Sequence, residues 1–112
     1  MKLTIETLDD GVTKINLAGR LDIVGAQEID LQFSVVSGSQ RKVIVDLEQV
    51  SFLASMGIRT IIMGAKAINL QGGRMVLLKP TPDVEKVLTT TGIDTLISIV
   101  HDLDAAIGVV SN

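Results

Sequence analysis

Apolar and polar side chains alternate along the first part of the chain. Residues 3–8 alternate almost strictly, and residues 14–17 do so again. A period of two is typical of a strand with one buried face. Asp9, Asp10 and Gly11 between the two runs are a turn signal, so the pattern predicts an N-terminal β-hairpin.

Beyond the hairpin, apolar residues at spacings of three and four predict two long helices. The first begins after Asp22, a candidate N-cap, and residues 37–39 end it. Its inward positions are Ala26, Ile29, Phe33 and Val36. The second runs from about Met56 to Leu70 and stops at residues 71–73, where two glycines follow a glutamine. Its main apolar stripe, which should face a sheet, is Ile58, Ile61, Ile62, Ala65 and Ile68.

Two shorter helices are predicted near the carboxyl end. Residues 80–83, which contain two prolines, start one helix, and Gly92 ends it. Its inward positions are Val84, Val87 and Leu88. Asp102 or Asp104 starts the other helix, which fades at Gly108.

Buried strands alternate with these helices. A β-branched run predicts a strand over Lys42–Asp46, another is expected over Arg74–Leu78, and a short one over residues 97–100. A hairpin followed by alternating strands and helices predicts an α/β fold. We expect a mixed, mostly parallel sheet of four to five strands with about four helices. The 112 residues suit a single domain over 1–112.

The segment after the strand over Lys42–Asp46 has the most specific chemistry. A short apolar loop is expected there, and Ser55, Met56 and Gly57 open the next helix. The Ser55 hydroxyl would thus lie at the carboxyl end of a strand, where open α/β sheets present working groups. Backbone amides at a helix N-terminus favour an anion, so a phosphate on Ser55 would be stabilised. The alternative is that Ser55 only caps the helix.

Composition excludes several classes of function. Aromatic residues make up 2% of the chain and the net charge is −3, so neither stacking platforms nor a basic surface for nucleic acid is expected. Without cysteine there are no disulfides or thiolate metal sites. No apolar run is long enough for membrane insertion and no signal peptide is recognisable, which favours a cytoplasmic protein.

Candidate catalytic chemistry is equally sparse. His101 is the only histidine, and the sequence offers it neither cysteine nor paired carboxylates at ligand spacing for a metal or acid–base site, so we expect it on the surface. The chain has neither a Walker A sequence nor a glycine-rich phosphate fingerprint. Asp46 ends a strand but lacks the acidic pair that a phospho-aspartate site needs. No cofactor and no catalytic residue are therefore predicted, which argues against an enzyme.

Four stretches resemble one known family in order and position. They are residues 15–22 (INLAGRLD), 43–57, 72–78 (GGRMVLL) and 84–93, which ends in Thr-Gly-Ile. Together they make the chain similar to a STAS domain of the anti-sigma-factor antagonist type. The resemblance implies a small α/β domain that binds a partner protein rather than a substrate.

The resemblance also implies a regulatory cycle. The partner would be an anti-sigma factor with a histidine-kinase-like ATP-binding fold, which phosphorylates one serine, and a metal-dependent serine phosphatase would reverse the reaction. The unphosphorylated form would capture the kinase and free the sigma factor. The family's acceptor serine follows the Asp of a D-S-S-G pattern, and that position is Ser55. Ala54 and Met56 stand in place of the family's Asp and second Ser.

Residues around Ser55 complete a predicted partner-binding surface. Asp22 matches a family position near the acceptor, although it is equally suited to cap the first helix. Gly57 allows a close approach of the chain, for packing or for function. Arg59 lies four residues after Ser55, on the same helix face. It is expected either to pair with Asp22, a partner carboxylate or a phosphate, or to point into water.

A second stripe on the Met56–Leu70 helix is the remaining candidate. It consists of Met56, Thr60, Met63 and Ala67. Exposed methionines make adaptable contact surfaces, which favours a docking patch. The alternative is a helix that is simply apolar over a broad arc.

Two other functions stay open. One is a constitutive STAS subunit of a stressosome or lipid-transport complex without phosphorylation, which Ala54 favours. The other is an enzyme or nucleotide-binding protein that holds a phosphate near Ser55. The first strand could also be an exposed edge that pairs with another chain.

Overall fold

The computed structural model describes residues Met1–Asn112 as five strands and four α-helices. The strands are β1 (Lys2–Thr7), β2 (Val12–Leu21), β3 (Lys42–Leu53), β4 (Arg74–Leu78) and β5 (Ser98–Val100). The helices are α1 (Ile23–Ser39), α2 (Ser55–Leu70), α3 (Pro82–Thr90) and α4 (Leu103–Ser111). Single 3₁₀ turns lie at Asp9–Gly11 and Ile93–Thr95. The predicted α/β class is confirmed.

The sheet has the strand order β1-β2-β3-β4-β5. β1 and β2 are antiparallel, and the remaining neighbours are parallel. The predicted hairpin is thus confirmed, and its turn places Asp10 and Gly11 at positive φ (61° and 76°). Because the carboxyl ends of parallel strands meet at one edge, β2 and β3 deliver their following loops to the same place.

Two apolar cores lie on opposite faces of the sheet. The larger fills the space beneath α1, α2 and α3, and it contains most of the helix side chains predicted to point inward, among them Ile29, Phe33, Ile61 and Leu88. Ile58, Ile62 and Val87, also predicted inward, are only partly buried against it. The smaller lies beneath α4 and includes Ile44, Val76 and Ala106. Alternate residues of 43–45 in β3 and 75–78 in β4 serve opposite cores, which is why these two segments are continuously apolar.

The strand over Lys42–Asp46 was predicted too short. It continues to Leu53, so the expected apolar loop is mostly strand. Its buried positions beyond Asp46 are Leu47, Val50 and Leu53, a spacing of three that no regular strand gives. Register shifts opposite residues 16–18 and 19–20 of β2 put extra residues into β3, and bulges of this kind break the period of two.

Two other boundaries differ from the prediction. β2 runs on through Gly19, Arg20 and Leu21, beyond the predicted alternating run over residues 14–17, because these residues pair with the extended part of β3. α4 continues past Gly108 to Ser111, since Val110 packs into the smaller core and holds the last turn. The predicted caps hold: Asp102 accepts from the amide of Ala105 at 2.8 Å, and Gly92, at φ 80°, follows α3.

Candidate functional site at the start of the second helix

The ends of β2 and β3 bring the two candidate segments together. Leu21 and Leu53 are register partners at the last rung of the ladder. The amide of Ala54 then donates to the carbonyl oxygen of Leu21 at 3.1 Å, which extends the pairing by one bond. Asp22, the N-cap of α1, follows Leu21, and Ser55, the first residue of α2, follows Ala54, so the two helices start next to one another.

Ser55 is the first residue of α2 and is exposed to solvent. The N-cap is Ala54, whose carbonyl oxygen accepts from the amide of Ile58 at 3.0 Å, and no side chain caps the helix. The alternative that Ser55 is the N-cap is therefore wrong. An uncapped N-terminus leaves backbone amides and the positive end of the helix dipole beside the hydroxyl.

Gly57 lies where α2 touches the end of β2. A Cβ atom at this position would lie 2.6 Å from the carbonyl oxygen of Leu21 and 2.5 Å from its Cγ atom. No larger residue fits without movement of the chain, so the predicted close approach is confirmed. Gly57 is buried, and its observed contacts are with the protein's own core.

Asp22 caps α1 as predicted. Its Oδ1 atom accepts from the amide of Gly25 at 2.8 Å. This hydrogen bond, with help from Arg20, holds the pKa of the Asp22 carboxyl below its usual value, against a smaller opposing effect of desolvation. The Nε atom of Arg20 lies 3.4 Å from Asp22 Oδ2.

Arg59 does not pair with Asp22. It is exposed and makes no ion pair within the chain, whereas Arg20 occupies the partner position beside Asp22. Of the alternatives for Arg59, pairing with Asp22 is thus excluded, because the Asp22 carboxylate binds the Gly25 amide and Arg20 instead. The guanidinium of Arg59 stays available to an anion or to a partner carboxylate.

An open groove runs between α1 and α2 next to Ser55. Its upper part, about 410 Å³, is lined by Ala26, Gln27, Asp30, Met56, Arg59, Thr60 and Met63. A lower part, about 230 Å³, continues past Met63 and Thr60 to Ala67. Met63 is 57% exposed and the Thr60 hydroxyl donates to the Met56 carbonyl oxygen at 3.0 Å, so the wall presents mainly methyl and thioether groups. The second stripe of α2 therefore lines a groove rather than the core.

Sequence reasoning missed several residues of this region. Arg20 stacks over the ring of Phe52, 4.3 Å from its centroid, and Phe52 is 40% exposed near the carboxyl end of β3. The two residues are register partners, a relationship hidden by the bulges. Gln27 and Asp30 were missed because they lie on α1 and reach the groove only through the packing of α1 on α2. Their i, i+3 spacing was the one available signal.

No group of three or more His, Asp or Glu side chains could hold a metal ion. None of the helices is long and apolar enough to cross a membrane. His101 is exposed, as predicted, and its Nε2 atom lies 3.0 Å from Glu85.

Comparison with known proteins assigns the family. The model of the STAS domain family matches residues 5–106. The chain therefore belongs to the STAS domain family, as the four sequence stretches indicated.

Individual relatives are named as anti-sigma factor antagonists. The chain is 26% identical over 107 residues to BtrV of Bordetella bronchiseptica, described as an anti-sigma factor antagonist, covering 95% of this chain and 91% of that protein. It is 27% identical over 95 residues to the anti-sigma F factor antagonist of Lysinibacillus sphaericus, covering 83% and 81%. The chain is thus homologous to anti-sigma factor antagonists.

The fold is also found in a solved structure of the Bacillus cell fate determinant SpoIIAA in its phosphorylated form. The two chains superpose with a TM-score of 0.73 and cover 96% and 99% of one another, at 24% identity. This likeness establishes a common fold.

Proposed function

We propose that this protein is a partner-switching anti-sigma-factor antagonist that acts through binding rather than catalysis. The unphosphorylated form binds a serine-kinase anti-sigma factor with a histidine-kinase-like ATP-binding fold. Phosphorylation of Ser55 releases the partner, and a metal-dependent serine phosphatase restores the binding form. Since sigma factors act on RNA polymerase, we expect this cycle in the cytoplasm.

The observation that carries the proposal is an exposed hydroxyl at an uncapped helix N-terminus beside an apolar groove. Ser55 is exposed at the first position of α2, and the groove begins one residue later at Met56. A kinase active site can reach such a hydroxyl without unfolding the domain. A docked partner would cover the same hydroxyl, so binding and modification involve one surface.

The physical consequences of a phosphate at Ser55 favour a switch. A phosphoserine carries a charge of about −1.5 to −2 at neutral pH. Within the domain this charge is tolerated, because the helix dipole and unpaired amides favour an anion. The guanidinium of Arg59, four residues along the same face, adds a further favourable charge. Binding of the partner would instead be weakened, because its surface is shaped for a neutral hydroxyl and methionine side chains. Docking would remove water from the phosphate without supplying a compensating positive charge.

Phosphorylation is tested directly by intact-mass spectrometry. The purified domain is incubated with ATP and a candidate anti-sigma factor kinase from the same organism. We expect a gain of one phosphate, absent from Ser55→Ala and unchanged in the matched control Ser51→Ala. Ser51 is also an exposed serine, four residues away on β3. A phosphate that persists in Ser55→Ala would contradict the assignment of the acceptor.

Partner release is tested by measuring the affinity of the kinase for two variants. Ser55→Ala should bind as the wild type does, whereas Ser55→Asp should bind more weakly because it places a charge on the docking surface. Equal affinities for the two variants would contradict the switch.

A second candidate function is a constitutive STAS subunit of a stressosome or lipid-transport complex. Ala54 favours it, since the family's aspartate before the acceptor serine is missing. The same mass measurement separates the two functions. A stable complex that forms without any phosphorylation would support the constitutive subunit.

A further inference from the structure

The outer edge of the sheet is a regular strand with no covering element. β1 pairs with β2 on one side only, and five of its six residues are exposed. Its register with β2 runs without a bulge from Lys2 to Thr7, and the strand contains no proline. Bulges and prolines are two of the features by which natural proteins protect an edge strand, because an unprotected edge can pair with a further strand. β1 has neither.

The direction of the free backbone groups follows from the hairpin. The amide of Leu8 donates to the carbonyl oxygen of Val12 at 2.8 Å, which makes residue 8 a hydrogen-bonded position of the ladder. In an antiparallel pair such positions recur at every second residue. The amides and carbonyls of Leu3 and Ile5 therefore point away from β2, into solvent.

The side chains of β1 are complementary to a second copy of the same strand. Antiparallel pairing centred on Thr4 places Lys2 opposite Glu6 of the second copy, twice by symmetry. It also places Leu3 opposite Ile5, the two residues whose backbone groups are free. Opposite charges and apolar pairs facing one another across strands are favourable.

No other register of the edge has this property. A centre at Ile5 would place Lys2 opposite Leu8, and a centre at Leu3 would place Lys2 opposite Thr4. If the twofold axis lay between two residues, the free backbone groups of one strand would face groups of the other strand that are already bonded to β2. Thr4 is therefore the only centre that satisfies both the charges and the hydrogen bonds.

An exposed apolar stripe on α1 lies above the same edge. Glu28 contacts the amino group of Met1 at 2.6 Å, so the helix face that carries Glu28 is turned toward the start of β1. Val24, Leu31 and Val35 lie at i−4, i+3 and i+7 from Glu28 and are 62%, 77% and 61% exposed.

The spacing of the elements suits helix packing across the edge. α1 contacts both β1 and β2, and neighbouring strands are about 4.8 Å apart. Pairing of two β1 strands would then bring two α1 axes to about 10 Å, a normal distance for packed helices. Ile5, which is 46% exposed in the single chain, would be covered beneath them.

We propose that this edge is the interface of a symmetric homodimer, formed by antiparallel pairing of two β1 strands about Thr4 and by contact of the two α1 stripes. The interface is isologous, as expected for a twofold dimer. Its axis is perpendicular to the sheet, so the carboxyl ends of β2 and β3 point in opposite directions in the two copies. Both Ser55 surfaces stay accessible, and each dimer can hold two partners.

Charge reversal at the edge tests the pairing. The full chain and its variants are compared by sedimentation equilibrium, with circular dichroism to verify folding. Wild type should dimerise, and Lys2→Glu and Glu6→Lys should each dimerise roughly tenfold more weakly, because two attractive pairs become repulsive. A mixture of the two single variants should form a heterodimer. Lys2→Glu carries carboxylates at positions 2 and 6, and Glu6→Lys carries amines at both, so each pair across the interface again joins opposite charges.

The matched control is Lys86→Glu, which reverses an exposed charge on α3 and should leave the dimer unchanged. The double variant Lys2→Glu/Glu6→Lys should dimerise more tightly than either single variant, since it exchanges the members of each pair. Its affinity should stay somewhat below that of wild type, because Glu6→Lys also replaces the 3.5 Å contact of Glu6 with Lys14. A monomeric wild type, or single variants that fail to recover on mixing, would overturn the proposal.

Discussion

Gly57 and Leu21 lie so close that a single methyl group cannot be placed between them. A Cβ atom on Gly57 would be 2.6 Å from the Leu21 carbonyl oxygen, which itself accepts from Ala54. The contact fixes the start of α2 against the end of β2. It therefore sets the position at which Ser55 is presented.

Gly57→Ala should lower the free energy of unfolding. Overpacking costs about 1–3 kcal/mol, against a gain of about 1 kcal/mol from helix propensity, so a net loss of up to about 2 kcal/mol is expected. Gly108→Ala is the matched control, because a Cβ there would meet nothing within 4 Å. It should raise stability by roughly 0.5–1 kcal/mol. Urea titration measures both, and stabilisation by Gly57→Ala would contradict the contact.

Ser37→Ala should make the protein more stable. The Ser37 hydroxyl is the one buried side-chain polar group without a hydrogen-bond partner, facing Gly64 across the α1–α2 contact. An unsatisfied buried group costs about 1–3 kcal/mol, so a gain of roughly 1 kcal/mol is expected. Ser34→Ala on the exposed face controls for helix propensity. A loss of stability in Ser37→Ala alone would mean that the hydroxyl is satisfied.

Asp22 should make the stability depend on pH in the acid range. Its pKa is lowered in the folded protein, chiefly by the Gly25 amide. The ionised form is thus favoured by folding, and its contribution is present above the unfolded pKa of about 3.9. It is lost as pH falls through the folded pKa.

The measurement for Asp22 is acid unfolding of wild type and Asp22→Asn. The amide can still cap α1 but does not titrate, so the stability difference between the two proteins should shrink as pH falls below about 4. Asp30→Asn, which removes a carboxylate from the same helix, controls for net charge. A difference that is constant with pH would contradict the role of the Asp22 charge.

Met63→Glu should weaken binding of the proposed partner. Met63 is exposed in the wall of the α1–α2 groove, and a carboxylate there would be desolvated on docking. A loss of about tenfold or more is expected for a residue central to an interface. Leu70→Glu is the matched control on the same helix, 89% exposed and outside the groove. Titration calorimetry with equal affinities for both variants would exclude the groove as the docking site.

The local signals in the sequence determined the order of the elements. Alternation in residues 3–8, the Asp22 cap and the helical spacing of Ile61 and Ile68 each depend on neighbours a few residues away. Such patterns act at short range, so they can be recognised in a single chain. The four family stretches added the fold and pointed to Ser55.

Only the tertiary structure decided which distant residues meet. The bulges that carry β3 to Leu53 arise from pairing with β2, and this pairing replaced an expected loop with strand. The position of Ala54 at the start of α2 likewise depends on its hydrogen bond to Leu21 at the end of β2. Asp30 and Met63, which are far apart in sequence, line one groove because α1 packs on α2. Packing of this kind is a long-range property that no local pattern encodes.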